Sequence, residues 1–175
     1  MCIFLLIMFL LIGCGRSEKQ ESSATIEVSQ TDTLVAVQDF ERLEVEGYVP
    51  AYRDESRGVI AVNSIEYPDE FGAVETIWRG ESGVYNVTIE TMPEEDGEST
   101  YRLFINSEFK AEFVNPETDQ PFGNASHTWD KIEINSGDTL RIASNTHSNG
   151  LIPEGDGFAW ARGRWSKLIF EPITK

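Results

Sequence analysis

The sequence predicts an all-β domain folded as an antiparallel β-sandwich. No window repeats apolar residues at the 3.6-residue period over the roughly twelve residues a stable helix needs. Instead, about eight to ten short β-branched or alternating runs recur every ~8–12 residues between turn residues, the pattern of a sandwich or barrel. Both cysteines, Cys2 and Cys14, precede that body, so it holds no disulfide, zinc–thiolate site or cysteine nucleophile. With 40% hydrophobic residues, including four Trp, five Tyr and ten Phe among 175, core packing and strand pairing must hold one domain together.

The chain begins with an unbroken apolar run, residues 3–12. As a helix it would rise about 15 Å, half a bilayer core, which fits the hydrophobic region of a signal peptide rather than a membrane span. Leu11-Ile12-Gly13-Cys14 follows and resembles a bacterial lipobox. That resemblance implies a signal peptide over residues 1–13, cleavage before Cys14, and diacylation of Cys14 as a membrane-anchoring N-terminus. Gly15-Arg16-Ser17 then places no aspartate next but one after the cysteine; by resemblance to Gram-negative lipoproteins this implies the outer membrane. Residues 14–32 are rich in Ser, Glu and Gln and too polar to drive their own ordering, so they read as a flexible tether. The sandwich is expected over residues 33–175.

Within it, strands are expected at residues 34–37, 43–46, 58–62 and 74–78. The clearest is 83–90, with Tyr85, Val87 and Ile89 on one face. An acidic turn-rich loop, 92–98, reads as a solvated surface. The strand at 99–105 is expected to pair with the one before it and, through the turn at 106–108, with 109–114. Three more strands follow at 128–134, 139–144 and 165–171. Trp78 and Trp129 sit in strand patterns and are expected in the core.

Four stretches, Gly83-Val-Tyr-Asn-Val-Thr-Ile, Ser99-Thr-Tyr-Arg-Leu-Phe-Ile, His127-Thr-Trp-Asp-Lys-Ile-Glu-Ile-Asn-Ser-Gly-Asp-Thr-Leu-Arg-Ile and Arg164-Trp-Ser-Lys-Leu-Ile-Phe, occur in an order that resembles galactose-binding-like jelly-roll carbohydrate-binding modules of the family 6 and 35 kind. The likeness spans residues 33–172. It implies a jelly-roll sandwich, a polysaccharide or other glycan as partner, and no catalysis. Such modules carry a structural calcium held by glutamates of the first strand. The corresponding stretch here, Val37-Gln38-Asp39-Phe40, offers Gln38 and Asp39, leaving Asp39, Glu41 and Glu171 as the oxygens that could serve. No other cofactor is implied.

The segment 145–165 looks like an insertion before the last strand, long enough to be either functional or disordered. Its aromatic and arginine content argues for function. Trp160, flanked by small residues, would stack on the apolar face of a sugar ring or else plug the end of the sandwich. Asn145, His147, Asn149, Glu154 and Asp156 would hydrogen-bond sugar hydroxyls. Arg162 and Arg164 would pair with a uronate or sulfate, or else brace the loop against Glu154 and Asp156. Glu154 and Asp156 are also the one carboxylate pair a glycosidase could use, at a separation of ~5–10 Å. No second polar constellation supports them, and His147 has no Ser or Cys partner motif, so an enzyme is not expected. The net charge of −16 argues against a nucleic-acid partner, whose phosphates need clustered Lys and Arg, and would also repel an anionic polysaccharide unless a local basic patch overrides it. The remaining alternative is an assembly lipoprotein contacting a partner protein in the cell envelope.

Overall fold

The computed structural model describes residues 31–173. Cys14, the signal segment and nearly all of the tether lie outside the described residues. In chain order the elements are β1 (Asp32–Val35), α1 (Ala36–Asp39), β2 (Ala51–Asp54), β3 (Val59–Val62), β4 (Phe71–Ile77), β5 (Gly83–Thr91) and β6 (Thr100–Ile105). Then come β7 (Glu108–Val114), β8 (Ala125–Ile134), β9 (Thr139–Asn145), β10 (Pro153–Glu154), β11 (Gly157–Phe158) and β12 (Trp165–Pro172). One sheet runs β2-β3-β12-β5-β8, with β1 also paired to β12; the other runs β4-β9-β6-β7. All strand pairs are antiparallel. The expected all-β sandwich is the observed architecture.

Alternation along each strand fills the space between the sheets. On β5, Tyr85, Val87 and Ile89 are buried, as the pattern predicts, and Trp78 and Trp129 are core residues. Trp78 packs against Phe170 at 4.4 Å and Tyr85 at 5.5 Å between ring centroids, and Phe40 meets Trp165 edge-on at 4.9 Å.

Several boundaries differ from the sequence reading for identifiable reasons. The expected strand at 34–37 ends at Val35, where the chain makes one helical turn. The Asp39 carboxylate (Oδ2) accepts from the Val35 N–H at 2.6 Å, and the turn sinks Ala36 and Phe40 into the core. No strand forms at 43–46. This stretch crosses the outer face of the four-stranded sheet, held by the bridge Arg42–Glu75. Leu43 there contacts the main core, while Val45 packs on Ala73 and Ala143. Its alternation thus reports burial on two sides, not sheet membership. β2 was not foreseen, since Ala-Tyr-Arg-Asp carries no β-branched residue. Finally, β6 does not pair with β5. The acidic loop carries the chain to the other sheet, where β6 lies between β9 and β7. The β6–β7 hairpin itself is as expected, with Asn106 and Ser107 at φ +50° and +69° making its tight turn.

Candidate functional site

The segment 145–165 is ordered from both ends. After β9, Thr146 is fully buried. Its hydroxyl donates to the Tyr67 carbonyl (2.7 Å) and accepts from the Glu70 N–H (3.2 Å). His147 and Ala161 exchange backbone hydrogen bonds at 3.2 and 2.8 Å. Further out, β10 and β11 form a small ribbon whose tip carries Glu154 and Asp156, both exposed. On the way back, the Arg162 carbonyl accepts from the Val62 N–H at 2.9 Å. The long loop is therefore an irregular hairpin riveted to the loop between β3 and β4.

Its second neighbour is the acidic loop, and here the sequence reading needs correction. Glu94 is not solvated; it is 7% exposed. One oxygen accepts from the Arg162 N–H at 2.7 Å, and the other pairs with Arg164, itself 4% exposed. Arg164 is therefore braced by Glu94, not by Glu154 or Asp156. Burial pushes the Arg164 guanidinium below its usual pKa. The backbones also touch: a Cβ on Gly97 would lie 2.7 Å from the His147 carbonyl carbon, a distance side chains do not reach, so only glycine fits.

These contacts consume most of the polar groups read as sugar ligands. Asn145 is buried and accepts from the Thr100 N–H at 2.6 Å. His147 Nδ1 accepts from the Glu98 N–H at 3.0 Å, so that nitrogen bears no proton and its 3.5 Å approach to Glu98 Oε2 is not an ion pair. Asn149 donates to the Glu95 carbonyl and to Glu98 Oε1, and accepts from the Leu151 N–H. Trp160 is half-buried. Of the residues read as sugar ligands, Arg162 lines a cleft.

That cleft, about 570 Å³, is walled by Pro50, Ala51, Tyr52, Asn63, Ile65, Glu66, Tyr67 and Arg162. β2 presents Tyr52. Pro50 and Ala51 flank it, Arg162 comes from the long loop, and the β3–β4 loop presents Asn63, Ile65, Glu66 and Tyr67. Asn63 shapes that loop: its side-chain oxygen accepts from the Ile65 N–H at 3.2 Å, and its carbonyl accepts from the Tyr67 N–H at 2.9 Å. This turn drives Ile65 outward, leaving it 83% exposed. Glu66 is oriented between the Tyr67 hydroxyl (2.9 Å) and Asn63 Nδ2 (3.3 Å). Donating to that carboxylate holds the Tyr67 pKa above its usual value. Two aromatic rings, an exposed aliphatic side chain, an oriented carboxylate and a guanidinium thus converge on one concavity, the composition of a small-molecule or glycan site. Sequence reasoning passed over Tyr52, Ile65 and Tyr67, which had no local pattern to mark them.

Of the candidate calcium oxygens, Asp39 and Glu41 line one concavity and Glu171 does not line it. Asp39 is committed to the Val35 N–H, Glu41 lies 3.5 Å from Arg79, and Glu171 is exposed on β12. Among the described residues no group of three or more His, Cys, Asp or Glu side chains is placed to hold a metal.

No protein-family model matches the chain. Uncharacterized protein P23 of Formosa agariphila is 31% identical over 117 residues, covering 65% of this chain and 26% of that protein. The chain thus spans about a quarter of the length of this curated relative. Among solved structures, the family 35 carbohydrate-binding module of Cellvibrio japonicus Abf62 matches with a TM-score of 0.50 at 13% identity, over 82% of this chain and 95% of that one. The C-terminal family 6 module of LamC from Zobellia galactanivorans has a TM-score of 0.49 at 11% identity, over 81% and 99%. On the first of these the chain has the β-sandwich fold of carbohydrate-binding modules, as the sequence resemblance implied.

Proposed function

We propose that this chain is a membrane-tethered lipoprotein whose sandwich binds a glycan without catalysis, in the cleft between Tyr52, Ile65, Tyr67 and Arg162. The observation that carries the reading is the cleft itself. Its tyrosine rings and the Ile65 side chain offer apolar surface to the carbon-bound face of a pyranose, while Glu66 and Arg162 offer an acceptor and donors at its rim. The carbohydrate-binding-module fold supports it, and the lipobox-like Leu11-Ile12-Gly13-Cys14 supports the anchor. The non-catalytic reading is supported by the exposed position of Glu154 and Asp156 at the tip of the small ribbon.

Affinity electrophoresis and titration calorimetry against a polysaccharide panel test this. Tyr67→Ala should weaken binding about tenfold or more, from lost ring contact, with the melting temperature little changed. Absence of binding to every polysaccharide would sink the reading. Binding lost in Trp160→Ala but kept in Tyr67→Ala would move the site back to the long loop.

A further inference from the structure

We infer that the glycan recognised in this cleft carries a negative charge, a carboxylate or sulfate substituent, and that Arg162 is the residue that reads it. The inference rests on the cleft being the glycan site and goes beyond it by naming the substrate class.

The argument comes from how the chain spends its arginines. With 30 acidic residues against 14 basic ones, carboxylates are abundant, and nearly every described arginine has one. Arg42 and Arg141 hold Glu75, Arg57 holds Asp54, Arg79 meets Glu41, Arg102 holds Glu112 and Arg164 holds Glu94. Arg53 gives its guanidinium to the Phe40 carbonyl at 2.6 Å. Arg162 is the exception among the described residues. Its side chain makes one long contact, Nε to the Ser64 hydroxyl at 3.4 Å, and its terminal nitrogens have no hydrogen-bond or ion-pair partner there. Its backbone, by contrast, is fixed on both sides, by Glu94 at its N–H and by Val62 at its carbonyl. A guanidinium with a fixed root and an unspent planar fork, standing in a cleft beside two tyrosines, is built to receive a planar or tripodal anion bidentately.

The acids nearby are not paired with it. Glu66 lines the same cleft, but its carboxylate is oriented by Tyr67 and Asn63 and makes no ion pair with Arg162. Asp96 feels the Arg162 charge but forms no ion pair with it. Arg164, two residues on, is excluded as a second reader because it is buried against Glu94.

The test is binding of the full chain to alginate (carboxylates only), carrageenan (sulfates only) and neutral galactomannan, using wild type, Arg162→Gln, Arg162→Lys and Tyr67→Ala. Wild type should bind an acidic glycan more tightly than the neutral one. Arg162→Gln should lower acidic-glycan affinity about ten- to a hundredfold and neutral-glycan affinity by a clearly smaller factor, the loss of one neutral hydrogen-bond donor, with Arg162→Lys in between. Binding to alginate alone assigns a carboxylate, and to carrageenan alone a sulfate. Equal affinity for neutral and acidic glycans, or acidic binding untouched in both Arg162 variants, overturns the inference. Loss of that binding in Tyr67→Ala would still uphold the cleft, whereas no effect of Tyr67→Ala either would remove the cleft itself. Melting curves separate unfolding from lost contacts, and the single 3.4 Å side-chain bond of Arg162 predicts little change.

Discussion

Replacing Glu94 by glutamine tests the joint on which the whole site leans. Glutamine keeps the shape and an oxygen for the Arg162 N–H, but deletes the charge that answers Arg164. The Glu94 and Arg164 side chains are 6% and 4% exposed, so the orphaned guanidinium cannot turn to water. Removing one partner of a buried pair costs about 3–5 kcal/mol. For roughly 140 ordered residues the unfolding entropy is about 0.3 kcal/mol/K, so each kcal/mol lowers the melting temperature by about 3 °C. Glu94→Gln should therefore melt about 10–17 °C below wild type by calorimetry. Because the pair is shielded from solvent ions, the gap should persist in 1 M salt. The paired change Glu94→Leu with Arg164→Met should recover much of the loss, since apolar groups of similar volume leave no buried charge. A Glu94→Gln protein melting within about 3 °C of wild type would refute the reasoning, as would a gap that vanishes in salt.

Two further outcomes follow from single residues. Asp96 has its pKa raised by burial, and its Oδ1 is buried without a hydrogen-bond partner. It thus holds its proton more tightly folded than unfolded, and its charge costs stability above the folded pKa and nothing below 3.8. Asp96→Asn should raise the melting temperature at pH 7, with the gain closing as pH falls below 3.8; a lower melting temperature at pH 7 contradicts this. Cys14→Ala should shift the protein expressed in a Gram-negative host from the detergent phase to the aqueous phase on Triton X-114 partition, because no acyl chain can then be attached. Wild type that already partitions into water argues against the anchor.

Much of the fold was legible because a strand with one buried face must alternate, and residues 83–90 do so cleanly. What alternation does not encode is which sheet a strand joins. Nothing local to residues 99–105 distinguishes pairing with β5 from pairing with β9 and β7. At residues 43–46 the same signal arises from a segment buried on two sides. Of the proposed cleft only one wall was legible. The composition of 145–165 singled out Arg162, yet Tyr52 and Tyr67 lie about a hundred residues earlier and meet Arg162 only through the fold. Buried polar groups must be paired, so Asn145, which looked like a ligand, is one the structure spends on itself.

The two arginines show this most clearly. Two residues apart in a regular strand they would point the same way, and the sequence gives no reason to separate them. Between them Gly163 sits at φ +59°, with a would-be Cβ 2.7 Å from the Asn145 carbonyl oxygen. Its left-handed conformation, open to glycine and costly for other residues, breaks the alternation. Arg162 is left in the cleft and Arg164 is turned inward to Glu94. One backbone torsion thus divides a matched pair into a structural charge and a free one. It follows that any side chain at position 163, by forcing that torsion back or the loop apart, should disturb both the buried ion pair and the cleft.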